Sequence, residues 1–295
     1  MRLVTFDDGS GPRAGVLADE NVIALSELDP SLPGNVLEVV RAGPAAMDRI
    51  NAAMAGGSTA GRPAAEVRLL APIPRPAKNI FCVGKNYIEH AAEFERSGFD
   101  RSSAGQNVPD NPIVFTKAPT SVIGPEATVE SALDPTGTLD YEGELGVIIG
   151  KAGRGISKDA AYEHVFGYTV INDITARAPQ ESHRQWFLGK SIDTFCPMGP
   201  SIVTADEVAD ITQSRLITRV NGEVRQDAVV RDLIFDIPTI IATISQGITL
   251  EPGDVIATGT PAGVAVGYNP PRYLKPGDSV EVEITPFGRL ANPIG

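Results

Sequence analysis

The stretch "LDYEGELGVIIG", residues 139–150, decides how this chain reads. Its pattern predicts a strand, and side chains alternate across a strand, so residues two apart share a face. Tyr141, Leu145, Val147 and Ile149 point one way, and Asp140, Glu142 and Glu144 the other. The run "LGVII" is apolar at nearly every position, which marks burial on both faces. Buried carboxylates must be paired or metal-bound. A solvated acidic edge is the plain alternative, but another acid, Asp173, stands in an equally apolar strand, "GYTVINDIT". Two glutamates at i and i+2 plus an aspartate from a second strand make an all-oxygen site, which favours Mg²⁺, Mn²⁺ or Ca²⁺ over Zn²⁺.

The chain around this stretch has 295 residues, 42% hydrophobic and 21% charged, which is globular composition. A formal net charge of -12 makes nucleic acid and anionic membrane poor partners. The start "MRLVTFDDGSG" has no apolar core of a signal peptide, and no apolar run approaches the length of a membrane span. Two cysteines, Cys82 and Cys196, without a CxxC pair, predict neither a disulfide framework nor a zinc site. A cytoplasmic protein is the expectation.

Residues 1–70 read as a small N-terminal α/β unit, with strands at "RLVTF", "AGVLADENVIAL" and "EVRLL" and a helical segment broken at Gly43-Pro44. The proline-rich "APIPRPAKN" leads into a main body over 71–295. There, strands are predicted at "IFCVG", "IVFTKA", "TVES", "YEGELGVIIG" and "GYTVINDIT", and helices at "IEHAAEFE" and "APQESHRQWFLGK". Two Leu-x-Pro-Gly-Asp turns, in "LEPGDVIATGT" and "LKPGDSVEVEIT", each feed a strand. Helices do not alternate regularly with strands, so an α+β, mostly β architecture is expected rather than a doubly wound fold. Residues 96–113 are Gly/Ser/Asp/Asn/Pro-rich with no apolar period, long enough to predict a lid spanning about 88–113.

In "NYIEHAAE", His90 and Glu93 stand three apart and meet on one helix face. A carboxylate beside an imidazole raises its basicity and fixes its tautomer, as a general base needs. A surface ion pair is the commoner meaning of His-x-x-Glu, but this pair follows a strand and glycine turn and precedes the expected lid. "GKS" at 189–191 lacks the upstream glycine of a P-loop, that position being Arg184. Cys196 reads as a packed thiol rather than a nucleophile.

Seven segments in order, "IFCVGKNYIEHAAE", "FTKAPTSVIGP", "LDYEGELGVIIG", "INDITARAPQ", "LGKSIDTFCPMGP", "VNGEVRQD" and "GDVIATGTPAGV", resemble the fumarylacetoacetate hydrolase family over residues 72–290. Residues 1–70 resemble the small N-terminal domain of its bacterial members. The resemblance implies a mixed β-roll with peripheral helices, usually a homodimer. It implies Glu142, Glu144 and Asp173 as ligands of Mg²⁺ or Mn²⁺, and His90 with Glu93 as the dyad that activates water. Lys117 and Lys190 match lysines that line the site and steady developing negative charge. Arg177, Gln180, Thr260 and Lys85 match positions that touch substrate or support the metal shell. One departure stands out: family members usually carry an acid directly after the Arg of "TAR", where this chain has Ala178-Pro179. Pro179 is expected to hold Ala178 away from helical geometry.

The activity implied is hydrolysis of a C–C bond in a 2,4-dioxo acid of the acylpyruvate or fumarylpyruvate type, giving pyruvate and a carboxylic acid. The second expectation is decarboxylation or isomerisation of a 2-oxo acid, such as oxaloacetate or 5-oxopent-3-ene-1,2,5-tricarboxylate, through the same metal-stabilised enolate. A non-catalytic metabolite-binding protein is the remote third; loss of a metal carboxylate or of His90 would have marked it.

Overall fold

The computed structural model describes residues 1–57, 61–96 and 108–295. The first unit holds β1 (Arg2–Asp7), β2 (Arg13–Ala18), β3 (Asn21–Ala24), α1 (Leu25–Leu28), α2 (Val36–Ala42), α3 (Pro44–Ala55), β4 (Arg62–Pro63) and β5 (Arg68–Leu70). The helix break falls at Gly43, whose φ of 60° suits glycine, and Pro44 opens α3, where a missing N–H costs nothing. The main body follows with β6 (Ile80–Gly84), α4 (Ile88–Arg96), β7 (Ile113–Lys117), β8 (Val122–Ile123), β9 (Leu139–Asp140), β10 (Gly143–Ile149), β11 (Val165–Asn172) and β12 (Thr175–Ala176). After these come α5 (Arg177–Ser182), α6 (Phe187–Lys190), β13 (Cys196–Thr204), β14 (Arg215–Val220), β15 (Glu223–Val229), α7 (Ile237–Ser245), β16 (Val255–Ala257), β17 (Ser279–Ile284) and β18 (Gly288–Pro293).

The architecture is mixed α+β and mostly sheet. A 12-stranded sheet runs β4-β3-β2-β1-β13-β11-β10-β16-β6-β7, with β5 on β1 and β8 on β13. The N-terminal strands thus extend the sheet of the main body through the antiparallel β1–β13 pair. A four-stranded sheet, β15-β14-β17-β18, packs against it. Strand β10 is buried along its whole length, as its apolar run predicts. Leu145, Val147 and Ile149 enter the larger core with Val280, Val282 and Ile284 of β17. Ile148 enters a second core shared with Val36, Val39 and Ile50 of the N-terminal helices.

Several local expectations are corrected. "TVES" is no strand: Val129 makes a single bridge to Ile294 before a 3₁₀ turn at Ser131–Leu133. "APQESHRQWFLGK" is not one helix but α5 and α6, parted at His183–Trp186, with Arg184 at a φ of 59°. Ala178 is helical despite Pro179, because α5 begins at Arg177 and the proline lies in its first turn, where its N–H would lack a partner anyway. Of the expected lid, 88–96 is α4, and residues 97–107 lie outside the described residues. No helix among the described residues is long and apolar enough to cross a membrane.

Candidate active site

Strand pairing brings the three acids together. In the β10–β11 ladder Gly143 faces Asn172, which sets Glu142 and Glu144 beside Asp173. The Asp173 N–H donates to the Glu142 carbonyl at 2.8 Å, and the Glu142 N–H to Asn172 Oδ1 at 3.1 Å. Carboxyl oxygens of Glu142, Glu144 and Asp173 lie within 4.8 Å of one another, all buried.

Cations surround two of the three. Lys190 Nζ donates to Glu142 Oε2 and Asp173 Oδ2, both at 2.7 Å. Lys117 Nζ lies 2.7 Å from Asp173 Oδ1 and also donates to the carbonyls of Ile174 and Lys190. Arg177 Nη2 lies 2.7 Å from Glu142 Oε1. Burial pushes the Glu142 carboxyl up, but Lys190 and Arg177 more than offset it and hold the group down at about 2. Glu144 differs: Lys117, Lys190 and Arg177 form no ion pair with it, and its Oε2 accepts the Gly259 N–H at 2.8 Å. Burial and the adjacent Asp173 and Glu142 charges raise its carboxyl well above the usual range. Beside these paired acids Glu144 adds a buried charge that the three cations do not pair, and a set of three carboxylates at this spacing suits a divalent metal.

Asp140 parts company with its neighbours. The strand breaks at Tyr141–Glu142, so Asp140 pairs in the short β9–β12 ladder, opposite Thr175. Fully buried, it accepts from Arg177 Nε at 2.9 Å and from the N–H groups of Tyr141, Ala265 and Val266 at 2.7–3.0 Å. Arg177 Nη1 also donates to Gln180 Oε1 at 3.1 Å. The guanidinium is held on three sides by its own chain.

His90 and Glu93 stand on α4, with Nδ1 3.4 Å from Glu93 Oε2. The Gly263 N–H donates to both Glu93 oxygens at 3.1 Å. Gly267 leaves the carboxylate its room: a Cβ there would sit 2.0 Å from Glu93 Oε1. Glutamate and imidazole are therefore positioned by the 263–267 segment, the one Asp140 holds from the other side.

A small pocket opens onto this chemistry, and His90, Glu142, Glu144, Arg177, Gln180, Lys190, Thr260 and Lys85 reach it. Lys85 does so at a φ of 54°, a conformation uncommon outside glycine and frequent at functional sites. Lys117 does not line the cavity; it lies behind Asp173 as a counter-charge. Sequence reasoning missed Gln226, whose Oε1 accepts the Gly143 N–H and whose Nε2 donates to Thr260 Oγ1 at 2.8 Å. It also missed the aromatic wall of Phe94, Phe115 and Trp186. Nothing local marks these residues, because their partners are 30 to over 80 positions away in the chain. Both cysteines are buried; burial pushes the Cys196 thiol up to about 12, in keeping with a packed, inert thiol.

A mixed β fold here carries three buried acids, a histidine–glutamate pair and inward-facing cations around one pocket. The chain belongs to the fumarylacetoacetate hydrolase family: residues 79–295 match the family model described as fumarylacetoacetate (FAA) hydrolase C-terminal. Residues 1–72 match a model described as Rv2993c-like, N-terminal. The chain is 51% identical over 230 residues, 78% of its length and 74% of the relative's, to oxaloacetate tautomerase YisK of Bacillus subtilis (strain 168). It is 41% identical over 303 residues to the human mitochondrial oxaloacetate tautomerase FAHD2A, covering 100% of this chain and 91% of that one. Among solved structures, maleylpyruvate hydrolase from Sphingobium sp. SYK-6, in complex with manganese(II) and pyruvate, superposes with a TM-score of 0.80 at 32% identity, covering 100% of this chain and 98% of that one. The protein is thus an enzyme of a metal-dependent hydrolase and isomerase family.

Proposed function

We propose that this protein is a divalent-metal-dependent keto–enol tautomerase of a small 2-oxo dicarboxylic acid, oxaloacetate being the first substrate to test. The observation that carries this reading is one small pocket shared by His90, two of the acids and Arg177 and walled by aromatic rings. The free space in this pocket is small with the side chains as they stand, which favours a short diacid over a substrate with a long tail. The relatives named as oxaloacetate tautomerases support isomerisation better than hydrolysis, the activity named for the less similar maleylpyruvate hydrolase.

Glu142, Glu144 and Asp173 would hold Mg²⁺ or Mn²⁺, which when bound supplies a Lewis acid for the 2-oxo group and its enolate. Arg177, fixed by Asp140 and Gln180, presents its charge to a substrate carboxylate with little reorganisation. His90 has Nδ1 turned toward Glu93, which leaves Nε2 to take a proton from C3. A proton lost from C3 and one gained at the 2-oxygen convert ketone to enol; no C–C bond breaks and no water is consumed. Hydrolysis of a 2,4-dioxo acid stands second, since it needs in addition a water placed for the same base. The proposal includes a homodimer in the reducing cytoplasm, and two buried free thiols agree with that compartment.

The test follows enol absorbance of oxaloacetate with Mg²⁺ or Mn²⁺, with pyruvate and CO₂ assayed alongside. Interconversion well above the spontaneous rate is expected, falling by about 10²–10⁴ in His90→Ala, with metal-dependent thermal stabilisation retained. Pyruvate formed from an acylpyruvate with a higher kcat/KM than tautomerisation would refute the assignment.

A further inference from the structure

On the oxo-acid reading above, the acids and cations of the pocket take the oxo-acid end of the substrate. The rest of the lining includes an aromatic wall of Phe94, Phe115 and Trp186, with Trp186 at its centre. The indole lies against Gly84 so closely that a Cβ there would sit 2.4 Å from Trp186 Cζ3. It stacks edge-on against Phe115 at 5.1 Å between centroids and against Phe94 at 6.4 Å. Phe115 also covers Lys190 Nζ at 5.1 Å, and Phe94 covers the Arg177 guanidinium at 5.5 Å. The three rings form an arch whose outer members hold the cations and whose middle member spans the gap. Trp186 arrives from the α5–α6 break, between exposed residues 182–185 and 187–188. It is thus a bulky plug carried on a short surface segment and seated in the site.

We infer that Trp186 limits the length of the oxo acid this enzyme accepts, closing the cavity against chains that continue past the second carboxylate. The inference rests on the oxo-acid reading above and names the residue that selects within that class. One extra methylene against a filled apolar wall is worth about 10–200-fold in discrimination, and an indole is the largest such filler.

The experiment uses oxamate and its N-alkyl derivatives as probes, with Mg²⁺ present, their binding measured by calorimetry on the full chain. Wild type is expected to bind oxamate at least about tenfold more tightly than N-hexyloxamate. Trp186→Ala is expected to close most of that ratio by tightening the hexyl compound, with Trp186→Phe between the two. Trp186 is the single tryptophan of the chain, so its emission reports this site alone and should be quenched by Mn²⁺ with oxalate. A length ratio unchanged in both variants, absent from wild type, or accompanied by unaltered emission overturns the inference while oxamate binding leaves the oxo-acid reading standing. Failure of wild type to bind either oxamate or oxalate refutes that reading, and this inference with it. Should Trp186→Ala not fold, the ratio in Trp186→Phe decides by the same rule.

Discussion

Asp140→Asn is the most informative single change in the site. Each Asp140 oxygen accepts two donors: Oδ1 from the N–H groups of Tyr141 and Ala265, Oδ2 from Arg177 Nε and the Val266 N–H. An amide keeps one oxygen and turns the other into a donor, so two buried donors lose their acceptor and Arg177 loses one of its two carboxylate partners. Breaking a buried ion pair by removing one partner costs about 3–5 kcal/mol, and the half-retained hydrogen bonds place this change near 3. At about 2–4 °C per kcal/mol for a chain of this order of size, the melting temperature should fall by roughly 6–12 °C. Activity should fall further than stability suggests, by about 10²-fold in kcat/KM, because Ala265 and Val266 belong to the segment that positions Glu93. Differential scanning calorimetry and the enol assay measure the two effects. A fall in melting temperature below about 2 °C with unchanged kcat/KM would refute the claim that Asp140 joins Arg177 to the segment behind the base.

Two further changes probe neighbouring groups. Gly267→Ala puts a methyl into the space of the Glu93 carboxylate; kcat should drop by up to about 10²-fold while KM moves little, since His90 loses its orienting partner and no substrate contact changes. Glu144→Gln should raise the melting temperature of chelator-treated protein at neutral pH and abolish its stabilisation by Mg²⁺ or Mn²⁺. The sign follows from a carboxyl raised on folding: its favourable contribution is present below the unfolded value and lost as pH rises through the folded one, so an ionised Glu144 without metal is destabilising and an amide is not. A lower melting temperature for this variant in chelator would contradict that account.

Much of the site is legible because its parts are local. Glu142 and Glu144 are two apart on one strand, and His90 and Glu93 three apart on one helix, so the periods of those elements place each pair on one face. The apolar positions of "LGVII" and of "SVEVEI" likewise announce buried and half-buried strands, as β10 and β17 are. Alternation fails where the strand itself fails. Asp140 has the same parity as Glu142 and Glu144, yet the break at Tyr141–Glu142 releases it to Arg177 and the 265–266 backbone. The resemblance placed Lys117 at the substrate, whereas its ammonium is consumed behind Asp173. The aromatic arch joins residues 94, 115 and 186, and Gln226 joins 143 to 260, through pairings no local window contains.

By itself, the sequence determined which faces of its strands and helices carry acid, base or apolar surface, because backbone geometry repeats over a few residues. Only the tertiary structure decided which of those groups meet: that Asp173 closes the acid set, that Asp140 holds an arginine instead of joining it, and that a tryptophan from a surface break walls the cavity. Those outcomes depend on sheet order and chain crossings over tens to hundreds of residues, where periodicity carries no information and packing alone chooses the partners.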